Sequence, residues 1–137
     1  MRIYIAAPLF SEAERAFNAV LASALEAGGY DVYLPQRDTL PAEGAERTRT
    51  IFHANLAALA KAEAVVAVCD GPQVDDGTAW EIGYAYGRSI HVFGLRTDVR
   101  IGQQTDERVN LMVLESLSEL SSTIEQLVHT LRYAERR

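Results

Sequence analysis

The feature that most constrains this chain is an apolar run, Ala64 to Cys69, followed by Asp75-Asp76-Gly77-Thr78-Ala79-Trp80-Glu81-Ile82-Gly83-Tyr84-Ala85. An uninterrupted apolar run without polar alternation reads as a strand covered on both faces, as in the middle of a parallel sheet. Parallel strands need a crossover, usually a helix, and the acidic segment opens one. In open α/β sheets ligands bind outside the carboxyl ends of the strands. The run therefore delivers carboxylates to the place where such a sheet holds its ligand.

The remainder alternates in the same way. Arg2 to Ala7 reads as a first buried strand, and Ser11 with Glu14 forms a capping box that opens a helix. Ala13, Phe17, Val20, Leu21 and Leu25 give that helix an apolar face, and Gly28-Gly29 ends it. Asp31 to Leu34 is a short strand stopped by Pro35, and Gln36 to about Glu46 is loop-like. Thr48 to Lys61 reads as a helix with Ile51, Phe52, Leu56 and Leu59 inward. After the acidic loop come a helix from about Ala79 to Arg88 and a strand from Ile90 to Leu95. Arg96 to Arg108, polar and rich in turn formers, reads as a long flexible loop. Asn110 to Leu114 is expected to be a fifth strand. Ser116 with Glu119 is expected to cap a last helix whose stripe is Leu117, Leu120, Ile124, Leu127, Val128 and Leu131. Strands alternating with helices predict an α/β fold: a three-layer α/β/α sandwich on a mainly parallel five-stranded sheet, flavodoxin-like in strand order. Residues 1–137 are expected to form a single domain.

Charge removes some partners. The net charge is −6 and Lys61 is the only lysine, so no basic stripe exists for a nucleic-acid polymer. Met1 to Ala6 runs straight into a strand pattern and is not read as a signal peptide, and no apolar run is long enough to span a bilayer. Cys69 is the only cysteine, so no disulfide can form within the chain, as expected of a cytoplasmic protein. At the end of a buried strand it reads as a small core residue.

The chemistry-bearing candidates are few. Ile5-Ala6-Ala7-Pro8-Leu9-Phe10 after the first strand carries no glycine-rich dinucleotide fingerprint, and the chain has no Walker motif. His53, His91 and His129 share no metal-ligand spacing, so no metal or cofactor is expected. What remains is Asp38, Asp70, Asp75, Asp76 and Glu81, with Asn55 and Asn110, near strand ends. Glu81 has two readings. It can complete a capping box with Thr78, or it can be a carboxylate nucleophile toward a sugar carbon that bears a nitrogen base. Asp75 and Asp76 suit a turn before Gly77, and they equally suit sugar hydroxyls. Tyr4 in a buried strand needs a partner for its hydroxyl, and a carboxylate is a good one. Asn55, in mid-helix where Asn is unfavourable, would ordinarily face solvent.

Together these residues resemble the nucleoside 2-deoxyribosyltransferase family over nearly the whole chain. The pieces are Ile3-Tyr4-Ile5-Ala6-Ala7-Pro8-Leu9-Phe10, the Asp75-x-Gly77-Thr78-x-x-Glu81-x-Gly83-Tyr84-Ala85 motif, and Asn110-Leu111-Met112. The resemblance implies that Glu81 is the nucleophile, attacking the anomeric carbon of a 2'-deoxynucleoside, and that Tyr4 orients it. It implies that Asp75 holds the sugar's 5' end and that Asn110 binds the same sugar in a neighbouring subunit's site. The partners are then nucleosides and free nucleobases, and the assembly a homo-oligomer built from dimers. Asn55, Met112, Ala6 and Gly77 are expected to line the substrate site, and Phe10 to pack on the base. Some members carry Asp where this chain has Asn55, and that Asp is a candidate proton donor to the leaving base. Asn cannot serve as an acid, so the donor here would be Asp38, Asp70 or water. Two other functions fit the same residues. One is an N-glycoside hydrolase of the same superfamily, acting on nucleosides or nucleotides. The other, of a different class, is a nucleoside-binding module without turnover.

Overall fold

The computed structural model describes residues 1–99 and 109–136. Five strands form one sheet: β1 (Arg2–Ala6), β2 (Asp31–Tyr33), β3 (Ala64–Val68), β4 (His91–Leu95) and β5 (Glu119–Ser121), in the order β2-β1-β3-β4-β5. Every neighbouring pair is parallel, and the order is that of flavodoxin-like sheets. The helices are α1 (Glu12–Ala27), α2 (Pro35–Asp38), α3 (Arg47–Ala60), α4 (Asp76–Gly87), α5 (Leu111–Leu114) and α6 (Ile124–Ala134).

Strand alternation assigns the two cores. Successive side chains of a strand point to opposite faces. Ile3 and Ile5 of β1, with Val66 and Val68 of β3, pack against Leu21 and Leu25 of α1 and Leu127 and Leu131 of α6. Tyr4 and Ala6, with Val65 and Ala67, face the other way and pack against Leu59 of α3 and Ile82 and Ala85 of α4. Helices therefore cover both faces, and β3 is buried along its whole length, as its apolar composition predicts. The same alternation puts Tyr4 on the face that α4 covers.

Local signals explain most element ends. Ser11 caps α1 through its side chain, and Glu14 closes the box on the backbone N–H of Ser11. Gly29 leaves α1 at a φ of 92°, which glycine adopts without steric cost. Val20, expected on the apolar face, is instead exposed, and Ala22 takes the inward place. Part of the expected Gln36 to Glu46 loop is helical, because Pro35 starts the single turn of α2.

The largest differences lie near the C-terminus. Asn110 to Leu114 is not a strand. The Asn110 side chain accepts from the backbone N–H of Met112 and starts the helical turn α5. Ser116 does not cap a helix either, because its hydroxyl donates to the Met112 carbonyl. Glu119 and Leu120 belong to β5, paired with Phe93 and Gly94 of β4. The last helix starts only after Thr123, whose hydroxyl accepts from the N–H of Gln126. Of the expected Arg96 to Arg108 loop, residues 100–108 lie outside the described residues, and Arg96 itself is buried.

The capping difference is measurable. Thr123→Ala should destabilise the fold by about 1 kcal/mol, and Ser116→Ala should stay within about 0.5 kcal/mol, in urea unfolding. Equal losses would contradict this assignment of the last helix.

Candidate active site

The site forms where β1, β3, α3 and α4 meet. The turn before α4 is held by Asp75. Its Oδ2 accepts from the backbone N–H of Thr78 at 2.9 Å and from the Thr78 hydroxyl at 3.1 Å. Asp75 thus does the capping that the Thr78–Glu81 spacing had suggested for Glu81. Glu81 turns instead toward the sheet, where the Tyr4 hydroxyl donates to its Oε1 at 2.6 Å. A contact so short between a hydroxyl and a carboxyl belongs to the stronger class of hydrogen bonds.

Burial sets the protonation of both partners. Tyr4 is inaccessible to solvent, and its ring stacks on Tyr33 with centroids 5.6 Å apart and planes 10° from parallel. Burial, and then the adjacent Glu81 carboxyl, push the Tyr4 phenol well above its usual range, so the phenol keeps its proton and acts as the donor. Burial also raises Glu81, to a pKa of about 7. The Tyr4 hydrogen bond opposes that rise, and the Asp75 charge adds to it. Glu81 therefore passes between its acid and carboxylate forms near neutral pH.

Beside this pair lies a cavity of about 240 Å³ lined by Phe52, Asn55, Leu56, Leu59, Gly77, Trp80 and Glu81. Its walls are mostly apolar side chains. Trp80 meets Phe52 edge-on and stacks on Tyr84, with centroids 5.7 and 5.6 Å apart. Asn55 does not simply face solvent, since its Oδ1 accepts from the Thr39 hydroxyl at 2.6 Å. Polar groups converging on an apolar cavity, one of them with a displaced pKa, are the usual marks of a small-molecule site.

The other expected residues are more scattered. Ala6 is fully buried in the core beside Tyr4, and Phe10 is 75% exposed on the segment between β1 and α1. Asn110 and Met112 line a second cavity, about 570 Å³, along the other flank of α4 with Ala79, Ile82 and Gly83. Within one chain they do not join Glu81. Neither proposed acid lines the Glu81 cavity. Asp38 accepts from Arg37 and from the backbone N–H of Leu34, and these bonds hold it below the usual carboxyl range. Asp70 accepts from the N–H and hydroxyl of Thr97 and from the N–H of Asp98. Burial pushes the Cys69 thiol up to about 12, as befits a core residue.

Sequence reasoning missed Trp80 as a wall of the site, and it missed Thr39 and Tyr33 behind Asn55. Phe52 was expected inward, yet it is 45% exposed at the cavity rim. The adjacency of Trp80 to Glu81 was the one available signal. Thr39 lies in an irregular stretch where no periodicity points to a partner.

Among the described residues, no group of three or more His, Cys, Asp or Glu is arranged to hold a metal ion. No described helix is long and apolar enough to cross a membrane.

The comparisons with known proteins bear on this arrangement. The nucleoside 2-deoxyribosyltransferase family model matches residues 3–112. A search of curated proteins finds no match. The structure of a conserved protein from Enterococcus faecalis superposes with a TM-score of 0.85 at 28% identity, over 98% of each chain. A 2-deoxyribosyltransferase from Bacillus psychrosaccharolyticus superposes with a TM-score of 0.81 at 24% identity, over 93% of this chain and 90% of that one. A CMP N-glycosidase from Clostridium botulinum reaches a TM-score of 0.61 at 16% identity, over 98% and 99%. At such identities the latter two show a shared fold. The family match takes in β1 to β4 and both members of the Tyr4–Glu81 pair, and the chain belongs to the nucleoside 2-deoxyribosyltransferase family.

Proposed function

We propose that this protein transfers 2-deoxyribose between nucleobases by double displacement, with Glu81 as nucleophile. The observation that carries the proposal is the Tyr4–Glu81 hydrogen bond of 2.6 Å at the wall of an apolar cavity. A glycosyl carbon bound to nitrogen passes through an oxocarbenium-like transition state, and a positioned carboxylate both stabilises and captures it. A carboxylate oxygen of Glu81 bonds to C1' while the C1'–N bond breaks and its electron pair leaves with the base. Solvent supplies the proton to that base. A nitrogen of the second base then attacks C1' and gives up its proton to solvent, the ester bond to Glu81 breaks, and the carboxylate is restored.

Each neighbour has a part in this scheme. Tyr4 fixes one carboxylate oxygen and leaves the other for the sugar. Asp75, close enough to affect the titration of Glu81, binds the 5' end of the sugar, and its charge disfavours a 5'-phosphate. Gly77, Asn55 and the Phe52–Trp80 wall border the base and limit water, which favours transfer over hydrolysis. Phe10 and Met112, 75% and 72% exposed in one chain, support an assembly of dimers. In such an assembly Asn110, with Met112, completes a neighbouring subunit's site, and Phe10 packs on a base.

Incubation of one deoxynucleoside with and without a second base tests the reading. The expected result is a new nucleoside that requires the acceptor, with Glu81→Ala lowering exchange by a factor on the order of 10⁴ while the protein stays folded. Free deoxyribose irrespective of the acceptor would make the protein a hydrolase. Wild-type exchange in Glu81→Ala would remove Glu81 from the chemistry.

The pH dependence follows from the Glu81 pKa. Only the carboxylate attacks, so kcat/KM should rise with pH through a midpoint near 7. Tyr4→Phe removes the bond that favours the carboxylate, so the midpoint should move above 7 and the rate at neutral pH should fall. An unchanged midpoint would show that the rate reports some other group.

A further inference from the structure

Asn55 is half of a polar pair at the cavity, and the structure shows what orients it. The Thr39 hydroxyl has one proton and donates it to Asn55 Oδ1 at 2.6 Å. Tyr33 OH lies 2.8 Å from the same Thr39 oxygen and must therefore be the donor to it. The relay runs one way, from Tyr33 to Thr39 to Asn55. The Tyr33 ring is stacked on Tyr4, so the relay is anchored to the residue that holds Glu81. With the amide reversed, Asn55 would donate to Thr39, and one hydroxyl proton, that of Thr39 or that of Tyr33, would lack an acceptor among the described residues.

The consequence is a fixed polarity. With Oδ1 occupied, Asn55 keeps Nδ2, which has no partner among the described residues and carries two N–H donors. The other polar groups on the wall that Asn55 shares with Phe52, Leu56 and Leu59 are the Glu81 carboxyl and the Trp80 indole N–H. We propose that Thr39 is a positioning residue that sets base specificity. By holding the Asn55 amide with its N–H groups toward the cavity, it selects nucleosides whose base presents a hydrogen-bond acceptor there, a ring nitrogen or a carbonyl oxygen. The proposal rests on the functional reading above and deepens it: Thr39 is not among the residues that line the cavity and acts through Asn55.

Binding to Glu81→Gln, which leaves bond cleavage out of the measurement, provides the test. Calorimetry would compare 2'-deoxyadenosine with its 3-deaza and 7-deaza analogues, and 2'-deoxyuridine with its 2-thio and 4-thio analogues. For the base that binds, one analogue should bind roughly tenfold more weakly than the parent, the effect of one lost hydrogen bond. Adding Thr39→Val should bring the parent down to that analogue's affinity, and Thr39→Ser should restore the difference. A merely structural threonine would lower all affinities together. Discrimination that survives Thr39→Val, or a bound parent that no analogue falls below, overturns the role of Thr39 and leaves the functional reading standing. A folded protein that binds none of these nucleosides overturns that reading and the role of Thr39 with it.

Discussion

One hydrogen bond joins the first strand to the fourth helix, and the rest of the site is arranged around it. A carboxyl group taken out of water is disfavoured in its charged form, and a phenol donor aimed at it is one of the few side chains that ease the cost without adding a charge. Tyr4 supplies that donor because strand alternation turns it, with Ala6, toward the α4 face, while Ile3 and Ile5 fill the core beneath α1 and α6. The same alternation stacks Tyr33 on Tyr4, so the donor's ring is held from one side and its oxygen from the other. The resulting Glu81 titrates near neutral pH, where a carboxyl can serve in turn as nucleophile and leaving group.

Helix α4 also divides the molecule's concave surface. Glu81, Trp80 and Gly77 face the smaller cavity, and Ala79, Ile82 and Gly83 face the larger one. Asp75, at the helix start, spends one oxygen on the cap and keeps its charge near Glu81. Under the proposed function, capping and ligand binding draw on one residue. Helix N-termini allow this economy, because the orphan N–H groups there need an acceptor in any case.

Where the residues alone sufficed, the cause was strong periodicity. The apolar runs of β1 and β3 and the acidic opening of α4 put Tyr4 in a buried strand and Glu81 near a strand end, and the family resemblance implied their pairing. The S-x-x-E pattern was a poorer guide. At Ser11 it is a true capping box, while at Thr78 the cap belongs to Asp75 and at Ser116 it is the end of a turn. Spacing cannot tell these apart, since each depends on which oxygen reaches the free N–H groups first. The fifth strand was illegible for another reason: three residues with Leu120 as the only apolar side chain give too short a period to read. Thr39 and Tyr33 could not be connected to Asn55 in advance, because a relay from a strand through a loop residue to a helix leaves no local pattern.

Covalent capture tests the central claim most directly. A 2-fluoro-2-deoxynucleoside slows both steps by destabilising the oxocarbenium-like transition state, so an intermediate accumulates when the second step is slowed more. Mass spectrometry of the digested protein should then find one deoxyfluororibosyl group on the peptide that carries Glu81, with Tyr4 unmodified. Release of base with no adduct, or an adduct on another side chain, would contradict Glu81 as the nucleophile.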